Sequence, residues 1–302
     1  AFKRAPDPEG TVGDYRRSLV ENSFYGMLNE RLGELVQEAD PPYLGASVSG
    51  GSFVRTKSVN MLSAGVVEGG LDRGLRALLV EAERARRFGF QATELERQKV
   101  NLLRYYEQAF NEREKTQSRV YAAEYVRSFL NGEPTPGIEY ENDLAQALAP
   151  GITVAEVNEL AAHFLDQGNR VILVSSPTSK DGPVTDREAL LAAFEDATST
   201  DLEEYEDDVA EGPLLAQIPE AGTILSRRVL AEIQSEEWTL SNGVRVVLRP
   251  TDFKNDDIRF TSYSPGGHSL VSDQDYIPAT TATSVVMEGG VGKFEQSQLR
   301  KA

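Results

Sequence analysis

Cysteine is absent from the 302 residues. Disulfides, thiolate nucleophiles and Cys-based metal sites are therefore excluded, although the compartment is not identified by that alone. Histidine is scarce, with His163 and His268 the two present. Zinc normally takes several His, Cys or carboxylate ligands at recognisable spacing, and two isolated imidazoles supply none. His163 lies in "ELAAHFL", on an amphipathic helical pattern where a packed or surface histidine is the ordinary role; His268 follows a Gly-Gly pair. No apolar run approaches the ~18–20 residues needed to span a bilayer. Positive charge is outnumbered, 31 Lys and Arg against 48 Asp and Glu, for a net charge of −17. Such a surface repels phosphate backbones and argues against nucleic acid as a partner.

What is present is a globular composition, 40% hydrophobic and 26% charged. From Val12 to about Ala39 the residues Leu19, Phe24, Met27, Leu28, Leu32 and Leu35 recur at helical spacing, and Pro41-Pro42 stops the pattern. "YLGASVSGGSFV" and "SVNMLSAGVV" read as strands paired through a turn at Arg55-Thr56-Lys57. Gly70–Arg87 is helical, with Leu71, Leu75, Leu78 and Leu79 on one face. A capping box at Thr93-x-x-Glu96 opens another helix through Phe110. "NEREKTQS" bends the chain before a helical stripe at Val120, Tyr121, Tyr125 and Phe129. Beyond Pro134 and Pro136 come a short helix near Asn142–Leu148 and a second box, Thr153-x-x-Glu156, whose helix ends near Leu165. "RVILVSS" (Arg170 to Ser176) has the composition of a buried strand.

"TSTDLEEYEDDVAEGP" (Thr198 to Pro213) carries seven acids and no base, the mark of a solvated connector. Charges without partners lose hydration on burial, so such segments rarely pack. Beyond it "WTLSNGVRVVLRP" and "DIRFTSYSPGG" read as strands, the first folded about Asn242-Gly243, and helices follow around Ala279–Val286 and from Gln296.

No local motif supplies an active site. "GASVSGGS" (Gly45 to Ser52) superficially resembles a phosphate loop, but Gly51 stands where the phosphate-binding Lys belongs, and a glycine-bearing strand fits better. His268-Ser269 lack the separately placed acid of a triad, and no G-x-S-x-G elbow occurs. The residues thus predict an α+β protein with no visible catalytic, cofactor or metal residues.

Several stretches taken in order resemble the insulinase–pitrilysin family of zinc peptidases. "LSNGVRVVLRP" (Leu240 to Pro250) is similar to that family's domain opening, and "MLNERLGELVQ" to the helix bearing its "RL" element. The hairpin, "TELERQKVNLL" and "GITVAEVNELAAHFL" before "RVILVSSP" follow in the family's order. The resemblance implies repeated metallopeptidase-like domains, each a mainly antiparallel sheet with helices on one face. It places 1–197 in a second, non-catalytic domain truncated at its N-terminus, 198–236 in an acidic connector, and 237–302 at the start of a degenerate third domain. The active H-x-x-E-H domain is expected upstream of Ala1. In the third repeat the equivalent of that motif falls in "ATTATSVVMEGG", with Thr280, Thr283 and Ser284 at the His, Glu and His positions. Hydroxyls are poor zinc ligands and cannot act as a carboxylate base.

The resemblance further implies zinc in the parent protein but none in this chain. It implies peptide substrate and the upstream catalytic domain as partners, and a lean towards the bacterial periplasm. Exposed sheet edges are expected to favour self-association. The competing expectation is a non-peptidase scaffold or assembly subunit of the same fold.

Overall fold

The computed structural model describes residues 1–165, 169–177, 185–209 and 212–301. Two units separate by their contacts: unit 1 takes Ala1–Phe110 and Gln117–Val209 with Lys301, and unit 2 takes Asn111–Thr116 and Ala210–Arg300.

In unit 1 the first helix, α1 (Val12–Leu35), starts on a reciprocal box. The Thr11 hydroxyl accepts from the Asp14 N–H at 3.1 Å, and the Asp14 carboxylate accepts from the Thr11 N–H at 3.1 Å. Its buried stripe of Leu19, Phe24, Met27, Leu28 and Leu32 is the one expected from spacing. The Tyr43 hydroxyl donates to the Leu32 carbonyl at 2.9 Å, so a terminal helical carbonyl keeps a partner after the helix stops short of the two prolines. Strands β1 (Phe2–Arg4), β2 (Gly45–Val54) and β3 (Lys57–Gly65) form an antiparallel sheet in the order β1-β3-β2.

Helices α2 (Leu71–Phe88), α3 (Ala92–Asn111), α4 (Ser118–Asn131), α5 (Ile138–Leu148), α6 (Val154–His163) and α7 (Arg187–Ser199) complete the unit. The core joins the α1 stripe to Leu78, Leu79, Leu95, Val157 and Phe194, and Phe24 packs on Phe164 with ring centroids 4.8 Å apart. The box at Thr153 forms as its spacing predicts: the Thr153 N–H donates to Glu156 Oε2 at 2.9 Å, and the Thr153 hydroxyl accepts from the Glu156 N–H at 3.3 Å.

Several features of this unit depart from the expectations. The helix after Gly89 opens at Ala92, so Thr93 lies inside it; Glu94 is the capping acid, accepting from the Gln91 N–H at 2.8 Å. The stretch Arg170–Ser176 is not a strand. Arg170 makes one isolated bridge to Phe2 and the Val171 N–H reaches the Ala1 carbonyl at 2.8 Å, but the three-residue β1 offers no longer ladder and Leu173 lies exposed. Helix α7 has no forecast in the pattern, yet Ala193, Phe194 and Ala197 bury one face of it. Residues 200–209, within the stretch expected as connector, group with unit 1; most of them are exposed, while the Asp207 side chain is 1% exposed. Asp207 has partners that the sequence alone does not display, the Arg97 guanidinium and the Thr93 hydroxyl.

Unit 2 holds β4 (Ile224–Leu230), β5 (Ser235–Leu240) and β6 (Arg245–Leu248) in one antiparallel sheet, order β4-β5-β6. The β5–β6 hairpin turns where Asn242-Gly243 predicts it. Gly243 takes φ +84°, a backbone region that favours glycine, and Asn242 Oδ1 accepts from the Val244 N–H at 3.1 Å. Strand β4 falls inside the stretch expected to be connector. Asp257–Gly267, expected as a strand, has no ladder among the described residues, and Ile258, Phe260 and Tyr263 are exposed. Helices α8 (Tyr276–Glu288) and α9 (Gln296–Lys301) match their forecast.

Candidate functional site

Unit 1 carries a cleft of about 900 Å³ bounded by α1, the β2–β3 hairpin, residues 6–9 and the C-terminal end of α4. Its wall includes Gly50, Gly51 and Ser52 of β2. Among the described strands β2 pairs with β3 alone, so its other edge is open. Asn29 of α1 hooks that edge: its Nδ2 donates to the Val48 carbonyl at 2.9 Å, and its Oδ1 accepts from the Val48 N–H at 2.8 Å. One side-chain amide thus occupies the place of a neighbouring strand's peptide group. Backbone groups alternate sides along a strand, so Gly50 and Ser52 direct theirs to the same edge, at the cleft.

Glycine at 50 has a local reason. A Cβ there would fall inside the Tyr25 hydroxyl and ring, and Tyr25 is held by donating to Asn60 Oδ1 at 2.9 Å. Asn60 Oδ1 also accepts from Arg4 Nε at 3.2 Å, while the Arg4 guanidinium pairs with Asp7 and lies 3.6 Å from Glu21. Burial pushes the Glu21 carboxyl up despite Arg4. Burial, reinforced by the Glu21 charge, pushes the Tyr25 phenol up to about 12. Arg17 and Arg127 on the rim are already paired, with Asp14 at 2.9 Å and Glu133 at 2.8 Å. The cleft is lined largely by polar side chains beside a strand edge, and among the described residues it presents no nucleophile and base in contact.

The sequence-named candidates fall elsewhere. His163 sits exposed in the last turn of α6, in unit 1, and His268 sits in a short 3-10 turn of unit 2, its ring edge-on to Tyr276 at 5.4 Å. The Ser269 hydroxyl donates to the Gly266 carbonyl at 3.0 Å, so its proton is committed to the backbone. "GASVSGGS" is a strand with Gly51 at φ +143° and not a phosphate loop. Thr280, Thr283 and Ser284 share one side of α8, and the Thr280 hydroxyl donates to the Ile277 carbonyl at 2.9 Å. The α8 side chains therefore offer neutral hydroxyls, one of them turned to its own backbone, where a zinc site needs imidazoles and a carboxylate. They do not fit the metal. Among the described residues no group of three or more His, Cys, Asp or Glu is placed to hold an ion.

One buried cluster escaped the sequence reading. Arg31, in the middle of the apolar stripe of α1, donates from Nε and Nη2 to the Glu94 oxygens at 2.7 and 2.8 Å, and from Nη2 to the Gly89 carbonyl at 3.0 Å. Its guanidinium lies over the Phe90 ring at 4.6 Å and the Tyr205 ring at 4.0 Å. Glu81 approaches to 3.5 Å, and burial pushes its carboxyl up against the pull of Arg84 and Arg31. The signal in the sequence is the register itself: Arg31 follows Met27 and Leu28 by four and three residues, and a charge inside an apolar stripe demands a buried partner.

The fold is that of the insulinase-like protease domains, antiparallel sheet with helices. The homologues of the chain are PqqL-like zinc proteases. A "Zinc protease PQQL-like" of Arabidopsis thaliana is 27% identical over 289 residues, 96% of this chain and 27% of that relative. The crystal structure of the periplasmic protease PqqL from Escherichia coli superposes with a TM-score of 0.60 at 19% identity, over 99% of this chain and 33% of that one. A predicted insulinase family protease from Yersinia pestis gives a TM-score of 0.58 at 15% identity, over 66% of this chain and 42% of that one. The chain thus spans about a third or less of the length of the PqqL-type proteins it matches. No protein-family model matches the sequence. No helix among the described residues is long and apolar enough to cross a membrane.

Proposed function

We propose that this chain is a non-catalytic portion of an insulinase/pitrilysin-like zinc peptidase. Hydrolysis belongs to an H-x-x-E-H domain elsewhere in the parent protein, and unit 1 contributes a wall that peptide substrate touches. The observation that carries the reading is the donor chemistry of α8. Thr280, Thr283 and Ser284 stand where the resemblance puts two imidazoles and a carboxylate, and neutral hydroxyls neither bind zinc well nor take a proton from its water. Zinc is accordingly the parent's cofactor, and no step of catalysis runs through residues of this chain.

The open β2 edge beside the cleft supports the peptide-facing role. An extended peptide adds to such an edge through main-chain hydrogen bonds. The periplasmic setting of the E. coli protein suggests the same compartment here. Metal analysis and peptidase assays on the purified chain test the proposal. The expected outcome is substoichiometric zinc after dialysis and no cleavage. Stoichiometric zinc together with chelator-sensitive cleavage of a peptide would overturn it.

A further inference from the structure

We infer that residues 203–208 form a charge-keyed latch: an acidic strap seated on an arginine-lined face of unit 1 that opens without unfolding the core beneath it. The strap carries no regular secondary structure and is held by side chains along its length. Arg84 Nη1 donates to the Glu203 carbonyl at 2.8 Å, and Gln91 Nε2 to the Tyr205 carbonyl at 2.5 Å. The Tyr205 hydroxyl lies 2.8 Å from both Glu34 oxygens, and its ring covers the Arg31 guanidinium. Asp207 takes a two-pronged pair from Arg97 at 2.7 and 3.0 Å and a further bond from the Thr93 hydroxyl. Lys301, which groups with unit 1, lies 3.2 Å from Asp207 Oδ1. Arg87 fixes the start of the segment through the Thr198 and Thr200 carbonyls at 2.5 and 2.8 Å.

What makes this a latch and not part of the core is the kind of contact. No residue of 200–209 belongs to the buried apolar cluster. The attachments are polar and charged, not apolar, and the local opening free energy lies below that of the unit. The exposed acids Glu203, Glu204 and Glu206 repel one another and favour the released, extended form. Arg97 against Asp207 is the main bolt, because Asp207 is buried and its pair is desolvated. Although burial works against the charge, Arg97 and Thr93 hold the Asp207 carboxyl down to about 2. Release of the strap would expose a face carrying Arg31, Arg84 and Arg97 and would free the segment that precedes β4.

A Glu-specific endoprotease reads the opening, since its sites at Glu203, Glu204 and Glu206 lie on the strap. When opening is fast, the cleavage rate follows the open population. In the full chain Asp207→Asn should raise the initial rate at these sites about tenfold or more, with the helical circular dichroism and its urea midpoint unchanged; Arg97 keeps Glu30 at 2.9 Å, so no cation is stranded. On wild-type protein, moving from 50 to about 500 mM NaCl should raise the rate by less than the substitution does, because a buried pair is screened much less than an exposed one, after correction for the protease on a free peptide. Rates at the three sites unchanged by both perturbations would overturn the latch. So would cleavage that appears only at urea concentrations where the helices melt.

Discussion

Replacing Arg31 by Met tests the claim that a buried ion pair, and not apolar packing alone, locks α1 onto α3. The guanidinium is 1% exposed and Glu94 2%. Arg31→Met removes two charge-assisted hydrogen bonds worth ~1.5–3 kcal/mol each and leaves Glu94 buried. The gross loss is about 3–6 kcal/mol, in line with the ~3–5 kcal/mol typical when one partner of a buried pair is deleted. The Gly89 carbonyl also loses its donor, while Glu81 keeps Arg84 at 2.9 Å. Adding Glu94→Leu removes the stranded charge and should return about half of the loss. The remainder reflects the Gly89 carbonyl and the Gln91 N–H, each left without its side-chain partner.

The assay is urea unfolding followed by far-ultraviolet circular dichroism, because unit 1 carries most of the helix. The lone tryptophan, Trp238, sits on β5 in unit 2, so its fluorescence transition serves as an internal control that should not move. A loss below about 1 kcal/mol for Arg31→Met, or a double variant no more stable than the single one, would refute the desolvation argument.

Other outcomes follow from single features. Thr153→Ala should destabilise unit 1 by about 1 kcal/mol through loss of the α6 cap, measured by the same urea transition. Glu156 is held down to about 2 chiefly by Arg16, with the Thr153 backbone and hydroxyl assisting. Because this carboxyl is lowered on folding, its contribution is present above the unfolded-state value near ~4.3 and is lost as pH falls towards about 2; Arg16→Gln should flatten the acid limb of stability across that window. Gly50→Ala should displace the Tyr25 ring and cost about 1–3 kcal/mol, visible as a lowered thermal midpoint; an unchanged midpoint would show that the ring moves freely.

How much was legible depended on how far apart the interacting residues lie. The stripes of α1 and α2, the β2–β3 hairpin, the Thr153 box and the Asn242-Gly243 turn are decided within a few residues, and each formed where its pattern placed it. The box at Thr93 misled because Glu94, two residues from the expected register, is also claimed by Arg31. Asp257–Gly267 has strand composition, but a strand exists only where another supplies its ladder. On the candidate site, the hydroxyls of α8 could be named in advance, since a residue's identity alone says whether it can ligate. The cleft could not, because it depends on Tyr25 lying over Gly50 and on Asn29 meeting Val48.

The sequence by itself determined the α+β class, most helices and both hairpins. Local backbone preference and side-chain chemistry carry those features. Only the tertiary structure decided the fate of the charges. Arg31 finds Glu94 across 63 positions, and Tyr205 finds Glu34 across 171. A stretch that reads as solvated linker becomes an ordered strap because folding brings a row of guanidinium groups to it, and hydration lost on burial is replaced only where such partners converge.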